Sequence, residues 1–386
     1  MQIPLSRVAA DQRGLIAAFR EAGGKSYQDA SSVAESRANY ERSCAANGLA
    51  PDAVAHVEDV AVGSFGVRVY DPRPARASAS ASGSGLASDS AAASASVSTS
   101  ASAPGSDRSL GRIDGPTSTD STGGAFEAAS YRAAADPVIV FAHGGGWVIG
   151  SLETHDSVCR RIATLTGLPV VAIDYRLGPE APFPAGHEDC RDAVAWVRDA
   201  AAERSWDANR IVTIGDSAGG GIAAVLASQP SMHVADTTVI GQVLLYPMLD
   251  VANESAGFAR ITDGVPLTAA TIRWFVENYV LDEALRSDPR VSPLPAVTED
   301  GPAQPPAWIL SLGLDPLADE ALEYSRRLAL GGTHVELVHL PDHAHGLFTS
   351  AGKIATGERM LEQAADFILR AVAAAANEDS LARASA

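Results

Sequence analysis

The chain has 386 residues, of which 46% are hydrophobic and 20% are charged, so it can form a folded core of ordinary composition. Its 47 acidic residues outnumber its 29 Lys and Arg residues and give a net charge of −18, which argues against binding to nucleic acid or to anionic lipid. No apolar run is long enough to span a membrane, the first residues do not resemble a signal peptide, and the three cysteines form no CxxC pair, so we expect a cytoplasmic protein.

The N-terminal part of the chain is predicted to form two helices and then two strands. The helices are expected at 6–21 and 27–46, because the glycine pair Gly23-Gly24 between them is a stop signal. Short strands are expected at 57–62 and 67–70, on either side of a turn.

A segment of different composition follows. Between Ala75 and Ala103, 22 of 29 residues are Ala or Ser. No apolar period runs through this segment, so it cannot bury enough surface to offset the entropy of ordering it. We predict a disordered insertion at 74–136, carried as a surface loop of one folded domain, because lengthening a loop costs little free energy.

After the insertion, apolar strands alternate with helices. Strands are predicted at 138–142, 170–174, 211–215, 243–246, 308–312 and 335–340, and helices at 155–165, 187–202, 218–228, 317–330 and 356–375. This alternation predicts an α/β fold with a mostly parallel sheet that is covered on both faces. In such sheets ligands bind beyond the carboxyl ends of the strands, so we sought functional residues there.

Residues 215–219, Gly-Asp-Ser-Ala-Gly, fit the pattern Gly-x-Ser-x-Gly and lie between a predicted strand and a predicted helix. This setting is typical of a nucleophile elbow, in which the glycines permit a tight, strained turn and the hydroxyl of Ser217 projects above the sheet. The alternative is a glycine-rich turn in which Ser217 caps the helix.

The run His143-Gly144-Gly145-Gly146-Trp147 follows another predicted strand. Three consecutive glycines leave backbone N–H groups that can point at a developing oxyanion, and the N–H of Ala218 would supply a further donor. A flexible loop is the alternative. A phosphate-binding loop would need a Gly-Lys-Ser/Thr ending, which is missing.

Asp315 and His345 each follow one of the last two predicted strands. The order Ser217, Asp315, His345 is that of an α/β-hydrolase catalytic triad, in which serine attacks an acyl carbon, histidine moves the proton and aspartate orients the imidazole. His339 and His343 compete with His345 for the role of base. We expect no metal site, because no partner ligand lies at a suitable spacing, and we find no cofactor motif.

Five motifs occur together: HGGGW at 143–147, YRLGPE at 175–180 followed by FPA, GDSAGG at 215–220, DPLADE at 315–320 and HG at 345–346. In this combination the chain resembles the hormone-sensitive-lipase-like family of α/β-hydrolase carboxylesterases. The insertion at 74–136 is a departure from the family pattern.

The resemblance implies an α/β-hydrolase fold, and it assigns the triad and the donors of the oxyanion hole: Ser217, Asp315 and His345, with Gly144, Gly145 and Ala218. It favours His345 over His343 because the family's histidine precedes Gly and an apolar residue. It also implies a helical cap formed by residues 1–50 and about 251–295, over a catalytic domain formed by 51–73 and 137–386.

The predicted function is hydrolysis of carboxylic esters of short to medium acyl chain through an acyl-enzyme. An amidase, formamidase or peptidase with the same triad is one alternative, and a non-catalytic ligand-binding protein on this fold is another. The expected partner is a small-molecule ester, without a cofactor, a metal, nucleic acid or a membrane span. The oligomeric state stays open, with a homodimer among the options.

Overall fold

A computed structural model describes residues 3–74 and 135–385, and within them eight strands form one sheet. The strands are β1 (His56–Val62), β2 (Phe65–Asp71), β3 (Asp136–Ala142), β4 (Val170–Asp174), β5 (Trp206–Asp216), β6 (Thr238–Leu245), β7 (Ala307–Leu314) and β8 (Val335–Ala344). The α-helices are α1 (Arg13–Glu21), α2 (Val33–Asn47), α3 (Leu152–Thr166), α4 (Ala185–Arg204), α5 (Ala218–Ser228), α6 (Ala256–Arg260), α7 (Ala269–Tyr279), α8 (Ala318–Leu330) and α9 (Ala355–Ser385).

The order of the strands across the sheet is β1-β2-β4-β3-β5-β6-β7-β8. Strand β2 pairs antiparallel with β1 and β4, and all pairs from β4 to β8 are parallel. The pairing register aligns Ala142 with Gly215, and Leu314 with Ala344. The loops that carry the predicted functional residues therefore leave the sheet along one edge, as expected for parallel strands.

Both faces of the sheet are buried, which explains the continuous apolar strands. In β3, Val138 and Val140 contribute to a cluster with α4 and α5, whereas Ile139 and Phe141 contribute to a cluster with α3 and α9. Successive side chains of a strand point to opposite faces, so a strand between two helical layers has no polar side.

The N-terminal helices are shorter than predicted. The predicted helix 6–21 is a 3-10 turn followed by α1, because the N–H of Ala9 donates to the carbonyl of Asp342 (2.8 Å) and ties the chain to the end of β8. The predicted helix 27–46 is likewise a 3-10 turn followed by α2, which begins after Ser32, whose hydroxyl accepts from the N–H of Glu35 (3.1 Å).

Residues 75–134 of the predicted insertion lie outside the described residues, so its predicted disorder stays a prediction. The division into cap and catalytic domain also stays a prediction. Within the described ranges, none of the helices combines the length and the apolar character needed to cross a bilayer.

Burial lowers the pKa values of two of the buried histidines, His143 and His187. Burial lowers the pKa of His143 to about 4, with His155 adding to the effect, and it lowers the pKa of His187 to about 3, with Arg290 adding to the effect. His187 packs between Phe183 and Tyr279, and its Nδ1 lies 2.9 Å from the hydroxyl of Tyr279. Both imidazoles are therefore neutral in the folded protein near neutral pH.

We expect the protein to lose stability as the pH falls from about 6.5 to 4. A histidine in the unfolded chain has a pKa near 6.5, so over this range the unfolded state binds more protons than the folded state. The free energy of unfolding then decreases with falling pH, by up to about 1.4 kcal/mol per pH unit for each buried histidine. Urea unfolding at a series of pH values measures this slope.

The variant His187→Phe keeps an aromatic ring at this position and removes one titrating group. Its free energy of unfolding should depend less steeply on pH, whereas His233→Ala, at an exposed position, should keep the slope of the unmodified protein. Equal slopes in all three proteins would contradict the assignment of His187 as a neutral buried histidine.

Candidate active site

Ser217 occupies a strained turn between β5 and α5. Its φ of 56° and ψ of −122° lie in a region that non-glycine residues rarely adopt. A Cβ added at Gly215 would overlap the carbonyl of Gly219, and a Cβ added at Gly219 would overlap the carbonyl of Ala142. The two glycines of the motif are therefore needed for β3, β5 and α5 to approach each other closely at this turn.

The structure brings the three predicted triad residues together. Nε2 of His345 lies 2.9 Å from Oγ of Ser217, and Nδ1 of His345 lies 2.5 Å from Oδ2 of Asp315. The Asp315 side chain is fully buried, and its Oδ1 accepts a hydrogen bond from the N–H of Leu317 (2.9 Å). Such a chain of contacts allows the imidazole to take the serine proton while a fixed carboxylate orients it.

The two competing histidines lie elsewhere. His343 has its Nδ1 2.9 Å from Asp342 and its Nε2 3.3 Å from Asp11. His339 has its Nδ1 3.2 Å from the hydroxyl of Ser311. Neither histidine contacts Ser217.

The N–H of Gly144, which the sequence assigned to the oxyanion hole, is directed away from the cavity. It donates to Oδ1 of Asp216 (2.8 Å), a buried carboxylate. This contact corrects the assignment of Gly144, because an N–H that is bonded inside the protein cannot also face a substrate. The glycine is needed for another reason, since a Cβ at this position would overlap the Asp216 carboxylate.

Gly145 and Gly146 instead line the cavity beside Ser217. Both have positive φ, 125° and 59°, and a Cβ would overlap Ile149 in the first case and the ring of Phe275 in the second. Within the described residues neither N–H is bonded to another group, and the same is true of the N–H of Ala218 at the start of α5. These three N–H groups are therefore the candidate donors of an oxyanion hole.

Asp216 is the centre of a buried network under the triple-glycine loop. Nε2 of His155 lies 3.0 Å from its Oδ1, and the other ring nitrogen of His155 lies 2.8 Å from the hydroxyl of Thr154. Burial raises the pKa of Asp216, but His155, His345 and the N–H of Gly144 together lower it more, so the pKa lies below its usual range. The network holds a negative charge directly behind the loop and keeps the loop in place.

Tyr175 adds a second attachment to the same loop. Its hydroxyl donates to the carbonyl of His143 (2.7 Å), and its ring stacks on the His143 imidazole at 4.3 Å. The neighbouring Arg176 pairs with Asp189 (2.7 Å). Tyr175 and Arg176 therefore both make internal structural contacts.

The cavity above Ser217 has a volume of about 100 Å³. One wall is apolar and is formed by Ile149, Pro266, Leu267 and Phe275. The other wall carries hydroxyl groups and is formed by Tyr27, Tyr40, Ser43, Thr349 and Ser350. The segments predicted as a cap thus supply most of the side chains around the nucleophile.

Sequence reasoning missed these wall residues and also His155. Tyr27 and Tyr40 stand in the N-terminal segment, their ring centroids are 5.5 Å apart, and Tyr27 also packs against Phe275 at 5.9 Å. Aromatic residues make up only 6% of the chain, so two tyrosines in a predicted cap were an available signal. His155 had no such signal, because a histidine at the start of a helix is common on protein surfaces.

Comparison with known proteins agrees with this geometry. The family model described as alpha/beta hydrolase fold matches residues 139–349, more than half of the chain. An ethyl acetate hydrolase of Pseudomonas putida is 37% identical in sequence, over a region that covers 55% of this chain and 66% of the hydrolase. The esterase LipI of Mycobacterium tuberculosis is 35% identical, over a region that covers 63% of this chain and 75% of LipI.

A solved structure supports the same relationship over nearly the whole chain. An ester hydrolase from the metagenome of Lake Arreo, determined with a bipyridine phosphonate derivative, has a TM-score of 0.73, is 30% identical and covers 94% of this chain and 98% of its own. The predicted α/β-hydrolase fold and the predicted resemblance are both confirmed. The chain belongs to the α/β-hydrolase family, and it spans just under two thirds of the length of the ethyl acetate hydrolase that it resembles.

Proposed function

We propose that this protein is a serine carboxylic ester hydrolase that acts through an acyl-enzyme. The observation that carries the proposal is the continuous chain of contacts from Oγ of Ser217 through His345 to the buried Asp315. The esterases among its relatives support the same class of reaction.

In the proposed mechanism, Ser217 Oγ attacks the ester carbonyl carbon while Nε2 of His345 takes the hydroxyl proton. The tetrahedral intermediate collapses as the imidazolium gives that proton to the leaving alkoxide, which departs as an alcohol. Water then attacks the acyl-enzyme with the same histidine as base, and the acid is released. Asp315 stabilises the imidazolium in both steps.

The negative charge on the carbonyl oxygen needs donors that are already in place. We assign this role to the N–H groups of Gly145, Gly146 and Ala218, because all three face the cavity or open α5 and are free of internal bonds. Each such donor typically contributes about 3 kcal/mol of transition-state stabilisation.

We further propose that the preferred acyl chains are short. The cavity of about 100 Å³ is closed on the cap side by Phe275 and Tyr27, which leaves room for a few carbon atoms beside Ser217. Tyr27, in the 3-10 turn before α2, and Phe275 of α7 belong in this proposal to the cap that limits chain length.

Replacement of Ser217 by Ala should abolish ester hydrolysis. Without the nucleophile no acyl-enzyme forms, and loss of this residue costs a triad enzyme a factor of about a thousand or more in kcat. The rate of p-nitrophenyl ester hydrolysis, from acetate to palmitate, measures the effect.

The control is Ser350→Ala, which removes another serine hydroxyl from the same cavity and should keep kcat within severalfold. Retention of the unmodified rate by Ser217→Ala would refute the proposal. If the folded protein cleaves amides but no ester, the amidase alternative takes its place.

Replacement of Phe275 by Ala should move the preferred substrate to longer acyl chains. The ring packs over Gly146 and closes the cavity, so its removal extends the space that an acyl chain can fill. We expect kcat/KM for the hexanoate or octanoate ester to rise severalfold relative to the acetate ester, as measured along the same p-nitrophenyl series.

Phe258→Ala is the matched control. Phe258 is a buried phenylalanine of α6 that does not line this cavity, so its loss lowers stability without changing the chain-length profile. The same profile in the unmodified protein and both variants would exclude Phe275 as the residue that limits chain length.

A further inference from the structure

Gln12 forms a two-bond clamp with the backbone of the residue before His345. Its Nε2 donates to the carbonyl of Ala344 (2.9 Å), and its Oε1 accepts from the N–H of Ala344 (2.7 Å). Gln12 is only 2% exposed, and 332 positions of the chain separate the two residues. The contact is therefore a buried long-range feature of the fold.

The two hydrogen bonds of Gln12 take the place of those that a further strand beside β8 would form. Within the described part of the chain, strand β8 lies at the edge of the sheet and pairs only with β7, so its last residues have one neighbouring strand. A carboxamide offers one donor and one acceptor, as a peptide group does, and Gln12 uses both on the two backbone groups of Ala344. The end of β8 is thus fixed on the side opposite β7, where the sheet has no further strand among the described residues.

The surrounding contacts tie the same N-terminal segment to both acid and base of the triad. Ile16 and Val8 pack in one buried cluster with Leu314 and Ala344, the residues that immediately precede Asp315 and His345. The N–H of Ala9 also donates to the carbonyl of Asp342 (2.8 Å).

We propose that Gln12 is a positioning residue for His345: its carboxamide fixes Ala344 and thereby holds the imidazole at bonding distance from Ser217. The inference rests on the proposed function, since it assigns to Gln12 a share in the reaction of that triad. Proton transfer at 2.9 Å between Ser217 and His345 is sensitive to small shifts, and a displacement of about 1 Å can cost a factor of about 100 in rate.

The test is Gln12→Met, which keeps the length and volume of the side chain and removes both hydrogen bonds. We expect kcat for a short p-nitrophenyl ester to fall tenfold or more with KM changed less than threefold, because the cavity walls stay in place. The second-order rate of Ser217 labelling by a fluorophosphonate should fall in parallel. Gln12→Asn, whose amide is withdrawn by about 1.5 Å, is a milder second variant with the same expected direction.

Arg13→Leu is the matched control. Arg13 donates to the carbonyls of Leu5 and Val8, so its loss loosens the N-terminal segment without touching β8. We expect a lower Tm with kcat within twofold of the unmodified protein. A normal kcat in Gln12→Asn or Gln12→Met, at a Tm reduced as in Arg13→Leu, would show that Gln12 only stabilises the fold and would overturn the inference.

The fluorophosphonate separates this failure from a failure of the proposed function. If the unmodified protein neither cleaves esters nor reacts with the probe, the proposed function is wrong and this inference falls with it. If the unmodified protein reacts and the Gln12 variants react at the same rate, only the inference about Gln12 is wrong.

Discussion

The arrangement of the whole site depends on the backbone of Ser217, which stays in a conformation that costs a non-glycine residue about 1–3 kcal/mol. Three backbone hydrogen bonds hold it there: its N–H donates to Leu245, and its carbonyl accepts from Met248 and Gly221. Leu245 is the last residue of β6, and both faces of this strand are buried. The packing of the sheet therefore stabilises the strained backbone conformation of Ser217. Ser217 lines the cavity from this turn.

Asp216 extends this constraint from the elbow to the triple-glycine loop. Its backbone is part of the turn at Ser217, and its carboxylate holds the N–H of Gly144 and contacts His155. The nucleophile and the adjacent N–H groups are therefore positioned by one residue, and neither can shift without the other. The same contacts explain why a carboxylate is tolerated at a buried position beside Ser217: the N–H of Gly144 and the ring of His155 compensate its charge.

The amino-acid sequence was sufficient for the parts of the site that depend on local patterns. Ser217, Asp315 and His345 each follow an apolar strand, and parallel pairing brings such strand ends together. Which N–H groups of the glycine run face the cavity could not be predicted, because the answer depends on a side chain 72 positions away that captures the N–H of Gly144. From the sequence, His345 could be preferred to His343 only through the family resemblance. In the structure His343 contacts Asp11 instead of Ser217, which separates the two histidines directly.

The three triad residues also differ in how the sheet supports them. Ser217 follows β5 and Asp315 follows β7, and each of these strands has a neighbour on both sides, whereas His345 follows β8 at the edge. The proposed base, His345, therefore follows a strand with one neighbouring strand, and Gln12 and Ala9 of the N-terminal segment add hydrogen bonds to the end of that strand. The same segment reaches the cavity wall, since Arg20 donates to the carbonyl of Gly264 (2.8 Å), two residues before Pro266. A segment that the family resemblance describes only as part of a cap is thus, in our proposal, part of the support of the catalytic base.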